Sequence, residues 1–142
     1  MNAWEALKSI TRLDMKIRHH ERQYDQAVSD MTSIQAVRFD RVSVSGGGMQ
    51  TDTRIEELAI KSKELSELKR FRAARMKLIE RVTDQMNDDA WVEVLLMTYV
   101  EGFTCDEIAK ELNFSRSHTY RMLRNAELQY RKLANVRQNE TE

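Results

Sequence analysis

The sequence has no proline, 4 glycines and one cysteine, and aromatic residues make up 7% of its 142 positions. Without proline, no helix interior loses a backbone donor, so helices can run long. The lone Cys105 excludes an intrachain disulfide and a cysteine-based zinc site, and fits a reducing compartment. No apolar run is long enough to cross a bilayer, and the N-terminus lacks the apolar core of a secretory signal. The expectation is therefore a cytoplasmic protein with no membrane partner. Few aromatics and 32% charged residues leave a thin core for one chain, which points to self-association.

Catalytic signals are missing as well. There is no paired-carboxylate pattern, no metal-ligand spacing and no nucleophile elbow, so an enzyme is not expected and neither is a metal or cofactor. His19 and His20 are adjacent, and adjacent helical residues point apart, so they read as solvated rather than as metal ligands. Gly46-Gly47-Gly48 lacks the Lys-Ser/Thr pair of a phosphate-binding loop and reads as a flexible connector.

The chain carries equal numbers of acids and bases, 23 each, but distributes them unevenly. Between Asp84 and Glu111 eight acids face one base, a net of −7; between Asn113 and Arg137 six bases face Glu127, a net of +5. A basic face on one element matters more for nucleic-acid binding than the overall balance.

Periodicity predicts an all-α fold. Met1 to about Val37 places Trp4, Leu7, Ile10, Leu13, Ile17, Tyr24, Val28, Met31 and Ile34 on one face, with a weak middle at Ile17–Arg22 that allows either a break or a polar interface. Residues 38–52 have low helix propensity, and the alternation of Val42 and Val44 with serines favours an extended path. Asp52 or Thr53 can cap a second long helix to about Thr83, with Ile55, Leu58, Leu65, Leu68, Phe71, Leu78, Ile79, Val82 and Met86 on a near-heptad stripe. Two such helices joined by the glycine-rich connector predict a hairpin over residues 1–83 that also dimerises. The basic run Lys69–Lys77 on the second helix reads mainly as a solvated face.

Residues 84–137 form the second predicted domain, followed by a polar tail at 138–142. An apolar helix containing Trp91, Val94, Leu95 and Tyr99 starts at Asn87 or Asp88. Thr104 and Glu107 have capping-box spacing, Ile108, Ala109 and Leu112 repeat at helical spacing, and Asn113 can end that helix in the left-handed region. Ser115 can cap a further helix to about Asn135 bearing Arg116, Arg121 and Arg124. A short capped helix, a tight turn and an arginine-rich second helix make a helix-turn-helix signature. Trp91, Leu95, Tyr99, Ile108, Leu112, Thr119, Met122, Leu123 and Ala126 are the expected core beneath it.

The stretch YVEGFTCDEIAKELNFSRSHTYRMLRNAELQYRKL resembles the helix-turn-helix of sigma-factor region four, through Gly102, the Glu107-Ile108-Ala109 triplet, Leu112, Ser115 and Ala126. Asn113 stands where that family usually has glycine, and Thr119 where it usually has valine. With IQAVRFDRVSVSGGGMQTDTRIEEL and a long charged helix upstream, the order of parts is similar to phage and prophage regulators of the ArpU and RinA kind, and to a related phage domain family of unassigned function. The resemblance implies a transcriptional regulator of phage genes, in the main an activator, working in the cytoplasm of a bacterial host.

In a helix-turn-helix the second helix enters the major groove with its N-terminal residues toward the bases. Arg116, Ser117, Tyr120 and Arg121 are the candidates for base edges, and Arg124, Arg131 and Lys132 for phosphate. His118 is open between base, phosphate and solvent. Backbone N–H groups at Thr104 and its neighbours are a further candidate for phosphate. Arg124 also has Glu127 in reach, and Tyr120 could instead pack on the domain's flank. The partners implied are double-stranded DNA, a second copy of the chain, and RNA polymerase at the acidic Asp84–Glu111 segment. Two other readings remain at this point: a DNA-packaging subunit of the small-terminase kind, which also joins a helix-turn-helix to oligomerising helices, and a helical adaptor that binds no DNA.

Overall fold

The computed structural model describes the backbone of residues 1–40 and 47–140 and the side chains of residues 1–33 and 52–136. Among these residues all regular structure is helical: α1 (Ala3–Asp40), α2 (Gly47–Thr83), α3 (Asp89–Tyr99), α4 (Cys105–Leu112) and α5 (Arg116–Glu140). The protein is all-α, and no described helix is long and apolar enough to cross a membrane.

Helix α1 starts at a reciprocal cap. The Glu5 N–H donates to Asn2 Oδ1 at 2.8 Å, and the Asn2 N–H donates to Glu5 Oε2 at 3.2 Å, so two otherwise orphaned donors are satisfied. Of the two alternatives at Ile17–Arg22 the helix takes the polar interface: α1 runs through without a break, and His20 and Glu21 lie against Glu64 and Lys69 of α2. Loss of apolar periodicity there changes what the helix packs against, while its Arg, Lys and Glu residues remain good helix formers. Helix α2 already runs from Gly47, so neither Asp52 nor Thr53 caps it, and the connector is shorter than residues 38–52. Glycine disfavours a helix by only about 1 kcal/mol per residue, and no proline stops this one. The extended path expected at Val42 and Val44 lies outside the described residues. Helix α5 likewise continues through Glu140, past the expected end near Asn135 and into the supposed tail.

The chain divides into two compact units: Met1–Leu13 with Arg72–Glu142, and Asp14–Phe71. This division does not follow the boundary expected at Thr83. The reason is a core the sequence reading did not assemble. Ala6, Leu7 and Ile10 of α1 and Ile79 and Val82 of α2 are packed with Met86, Leu95, Ala126, Tyr130 and Ala134. Trp91, Tyr99 and Leu123 border that cluster. A second, smaller cluster joins Val94 and Met97 of α3 to Ile108 of α4 and Met122 of α5. The residues expected to form one small core are thus divided between two, and the larger is built around the ends of the long helices.

Polar contacts fix the same packing. The Tyr130 hydroxyl donates to the Ala3 carbonyl at 2.6 Å, and the Thr11 hydroxyl donates to the Tyr99 carbonyl. Trp4 meets Tyr99 edge-on with ring centroids 5.9 Å apart. On α5 Leu133 packs toward the core, whereas Leu128 is 53% exposed.

In the other unit α1 and α2 form an antiparallel hairpin. Glu21 pairs with Lys69 at 3.4 Å, His20 Nδ1 lies 3.9 Å from Glu64, and a groove further along is lined by Gln26 and Asp30 on one side and Thr53 and Arg54 on the other. Tyr24, Ala27 and Met31 of α1 and Leu58, Leu65 and Leu68 of α2 are half-buried. Ile17 is the one apolar side chain described as buried in this unit.

Candidate nucleic-acid interface

The segment from α3 to α5 is shaped by local signals. Asp88 caps α3, its Oδ1 accepting from the N–H groups of Ala90 at 3.0 Å and Trp91 at 3.3 Å. Beyond α3 the chain turns at Gly102, whose φ of +76° an L side chain rarely adopts. Thr104 then caps α4: its Oγ1 accepts from the Glu107 N–H at 3.2 Å and donates to the Glu107 carboxylate at 3.1 Å. Helix α4 ends where Asn113 takes φ 56° and ψ 40°, and the Phe114 N–H reaches back to the Ala109 carbonyl at 3.0 Å. This is the Schellman closure, with asparagine filling the left-handed position. Ser115 caps α5 through its Oγ, which accepts from the His118 N–H at 3.1 Å.

Two helices of unequal length therefore meet across a three-residue turn. Their inner faces are locked together by Ile108, Met122 and the fully buried Thr119, whose hydroxyl is satisfied by the Ser115 carbonyl at 2.9 Å. The remaining face of α5 is solvent-exposed. Arg116, Ser117, His118, Tyr120, Arg121, Arg124 and Lys132 are all exposed, with Tyr120 at 63%. Tyr120 therefore does not pack on the flank of the domain. Arg121, Arg124 and Lys132 have no ion-pair partner among the described residues. Glu127, the alternative partner for Arg124, instead accepts from the Tyr99 hydroxyl at 2.8 Å. Burial, that hydrogen bond and the carboxylate charge raise the Tyr99 pKa, and burial alone raises that of Tyr130.

Three of the sequence candidates meet competing contacts. The Arg131 guanidinium lies 4.8 Å from the centre of the Trp4 ring, which Lys8 also approaches at 5.5 Å, so Arg131 joins the first turns of α1 to α5. At Thr104 the hydroxyl is occupied by Glu107, and Asp106 and Glu107 place negative charge where a phosphate would approach. Arg116 Nε pairs with Asp106 Oδ1 at 3.1 Å, although both side chains stay largely exposed. That pair was missed in the sequence because its members lie on different helices and obey no intrahelical spacing. Phe114 was missed too: it is 37% exposed and sets its ring edge-on to His118 with centroids 5.0 Å apart.

Among the described residues no cluster of three or more His, Cys, Asp or Glu side chains could hold a metal ion. Compared with known families, residues 33–131 match one described as protein of unknown function (DUF1492). No curated protein and no solved structure gives a significant match.

Proposed function

The chain belongs to the DUF1492 family, and we propose that it is a sequence-specific double-stranded DNA-binding protein, a transcriptional regulator of the phage type. One observation carries this reading: the exposed side of α5 presents Arg116, Arg121 and Arg124 over a closed apolar base. The α4–turn–α5 arrangement is what a helix-turn-helix needs to enter the major groove, with the N-terminal turns of α5 toward base edges. We assign Arg121 and Tyr120 to base edges, and Arg124 and Lys132 to phosphate.

The Asp14–Phe71 hairpin is the element we assign to self-association. Its half-buried seam supports this, because a pair of helices with one buried apolar side chain gains little by itself. A dimer would present two readers to half-sites one helical turn, or a multiple of it, apart. The resemblance to phage regulators supports a role at promoters, with the acidic segment before α5 offered to RNA polymerase.

The test is binding of the full chain to duplexes selected from a random-sequence pool, followed by titration in rising salt. Binding should weaken steeply with salt as condensed counterions are released. Arg121→Ala should cost about 1–3 kcal/mol on the selected duplex and much less on random duplex. An absence of duplex binding at low salt would end this reading. A ring of many subunits in solution would redirect it to DNA packaging.

A further inference from the structure

We propose that Asp106 is a specificity-determining residue of the reader: by binding Arg116 Nε it presents the two terminal nitrogens of that guanidinium to a guanine. This rests on the DNA-binding reading and adds a position at which bases are discriminated and the residue that sets it.

The geometry begins with where the two residues stand. Arg116 is the first residue of α5, directly after the Ser115 cap, and Asp106 is in the first turn of α4. Both helix ends are fixed by side-chain caps, so the backbone positions from which the two side chains reach are well determined. The ion pair brings Nε to within 3.1 Å of Oδ1. It occupies Nε and leaves Nη1 and Nη2 free. Those two nitrogens are parallel donors, and parallel donors are what O6 and N7 of guanine accept.

Stability does not account for the pair. The side chains are 78% and 64% exposed, and ion pairs so exposed contribute little to folding. The helix dipole accounts for an acid in the first turn of α4, but Glu107 already provides one there and is the member tied into the cap. What Asp106 adds is an ordered arginine. An unpaired arginine on a surface samples many rotamers and reaches phosphate as readily as a base. Paired at Nε, it samples fewer orientations, and less freedom is lost when it meets a base. The carboxylate also repels the nearby phosphates, which lowers affinity for any duplex and leaves the specific contact as compensation.

The combination has a signature that a fold-supporting pair lacks. The test uses the full chain and the duplex selected by it, with each guanine replaced in turn. Arg116→Ala should erase discrimination at one guanine. Asp106→Ala should reduce discrimination at that same position by about tenfold, the order of one bidentate contact, and leave other positions within about twofold. Affinity for random duplex should stay equal or rise. Asp106→Asn, which retains an acceptor oxygen, should fall between wild type and Asp106→Ala. Once arginine is absent, adding Asp106→Ala should remove nothing further at that position.

Unchanged discrimination in Asp106→Ala, or an equal loss at every position, overturns the role of Asp106 while leaving DNA binding intact. Discrimination that survives Arg116→Ala overturns it in the same way. If the wild-type chain binds no duplex, the underlying reading fails first and takes this one with it. Thermal unfolding of each variant separates these outcomes from loss of fold, since the exposed pair should move the midpoint very little.

Discussion

Replacing Leu7 with alanine tests whether the α3–α5 segment is built on the first turns of α1. Leu7 has no exposed surface, and its cluster contains Ile10, Ile79, Leu95, Ala126 and Tyr130, drawn from α1, α2, α3 and α5. Truncation removes the transfer free energy of the lost carbons and leaves a cavity at the junction of four helices. Such sites lose about 2–5 kcal/mol. The upper half of that range is expected here, because the neighbours are held by the Tyr130–Ala3 hydrogen bond and by Trp4 against Tyr99, and cannot easily collapse inward. For a chain of this size the loss lowers the unfolding midpoint by roughly 3 °C per kcal/mol. Urea unfolding followed by circular dichroism and by tryptophan fluorescence measures it, since Trp4 and Trp91 both border the cluster. Leu128→Ala, at an exposed leucine of α5, is the control and should change stability by less than about 0.5 kcal/mol. Equal effects of the two substitutions would mean that the first turns of α1 do not support the reader.

Gly102→Ala should destabilise by about 1–2 kcal/mol through backbone strain alone, because a Cβ there would meet Thr11 at an ordinary 3.9 Å; Asn113→Gly, which relaxes the other left-handed position, should stabilise slightly, and urea midpoints compare the two. High pH should unfold the chain through Tyr99 and Tyr130. Both pKa values are raised in the fold above the ordinary tyrosine value near 10, so their contribution is complete below about pH 10 and is lost as pH rises beyond it. Phenolate absorbance at high pH should therefore rise together with loss of ellipticity, and Tyr130→Phe should remove part of that coupled rise. Phenolate formation at the ordinary tyrosine pH by every tyrosine, with ellipticity retained, would contradict the burial of these two.

The local parts of the α3–α5 segment are legible in the sequence because each is written in a few adjacent residues. Thr104 with Glu107, Asp88, Ser115 and the left-handed Asn113 all act within one helical turn, and each does in the structure what its spacing implied. The Asn2–Glu5 cap obeys the same rule and could have been found by it. Long-range contacts were a different matter. Tyr130 binds Ala3 across 127 positions, and nothing near either residue announces the other. The apolar stripe of α1 reads as one continuous face, yet Leu7 and Ile10 join one unit and Ile17 and Tyr24 belong to the other. A periodicity reports that a face is covered and not by what. The glycines mislead for a related reason: Gly47 and Gly48 read as part of a flexible connector but belong to α2, because a weak propensity is easily overridden when no proline accompanies it.

Because the first turns of α1 and the last turns of α2 belong to the same core as α3 and α5, the chain cannot be cut at Thr83 into a hairpin and an independent reader. A fragment starting at Asp84 lacks Ala6, Leu7, Ile10, Ile79 and Val82 and leaves Leu95, Ala126 and Tyr130 uncovered. At about 25 cal/mol for each Å² of apolar surface, losing five buried side chains exceeds the whole stability of most domains this small. That fragment should be unfolded. A different excision should succeed: joining Leu13 to Arg72 through about six Gly and Ser residues removes Asp14–Phe71 and keeps every member of both clusters. The product should unfold cooperatively, sediment as a monomer, and bind a single half-site with the salt dependence of one reader. Helicity and cooperative unfolding in the Asp84 fragment, or their absence in the joined protein, would show that the two clusters do not form the reader's foundation.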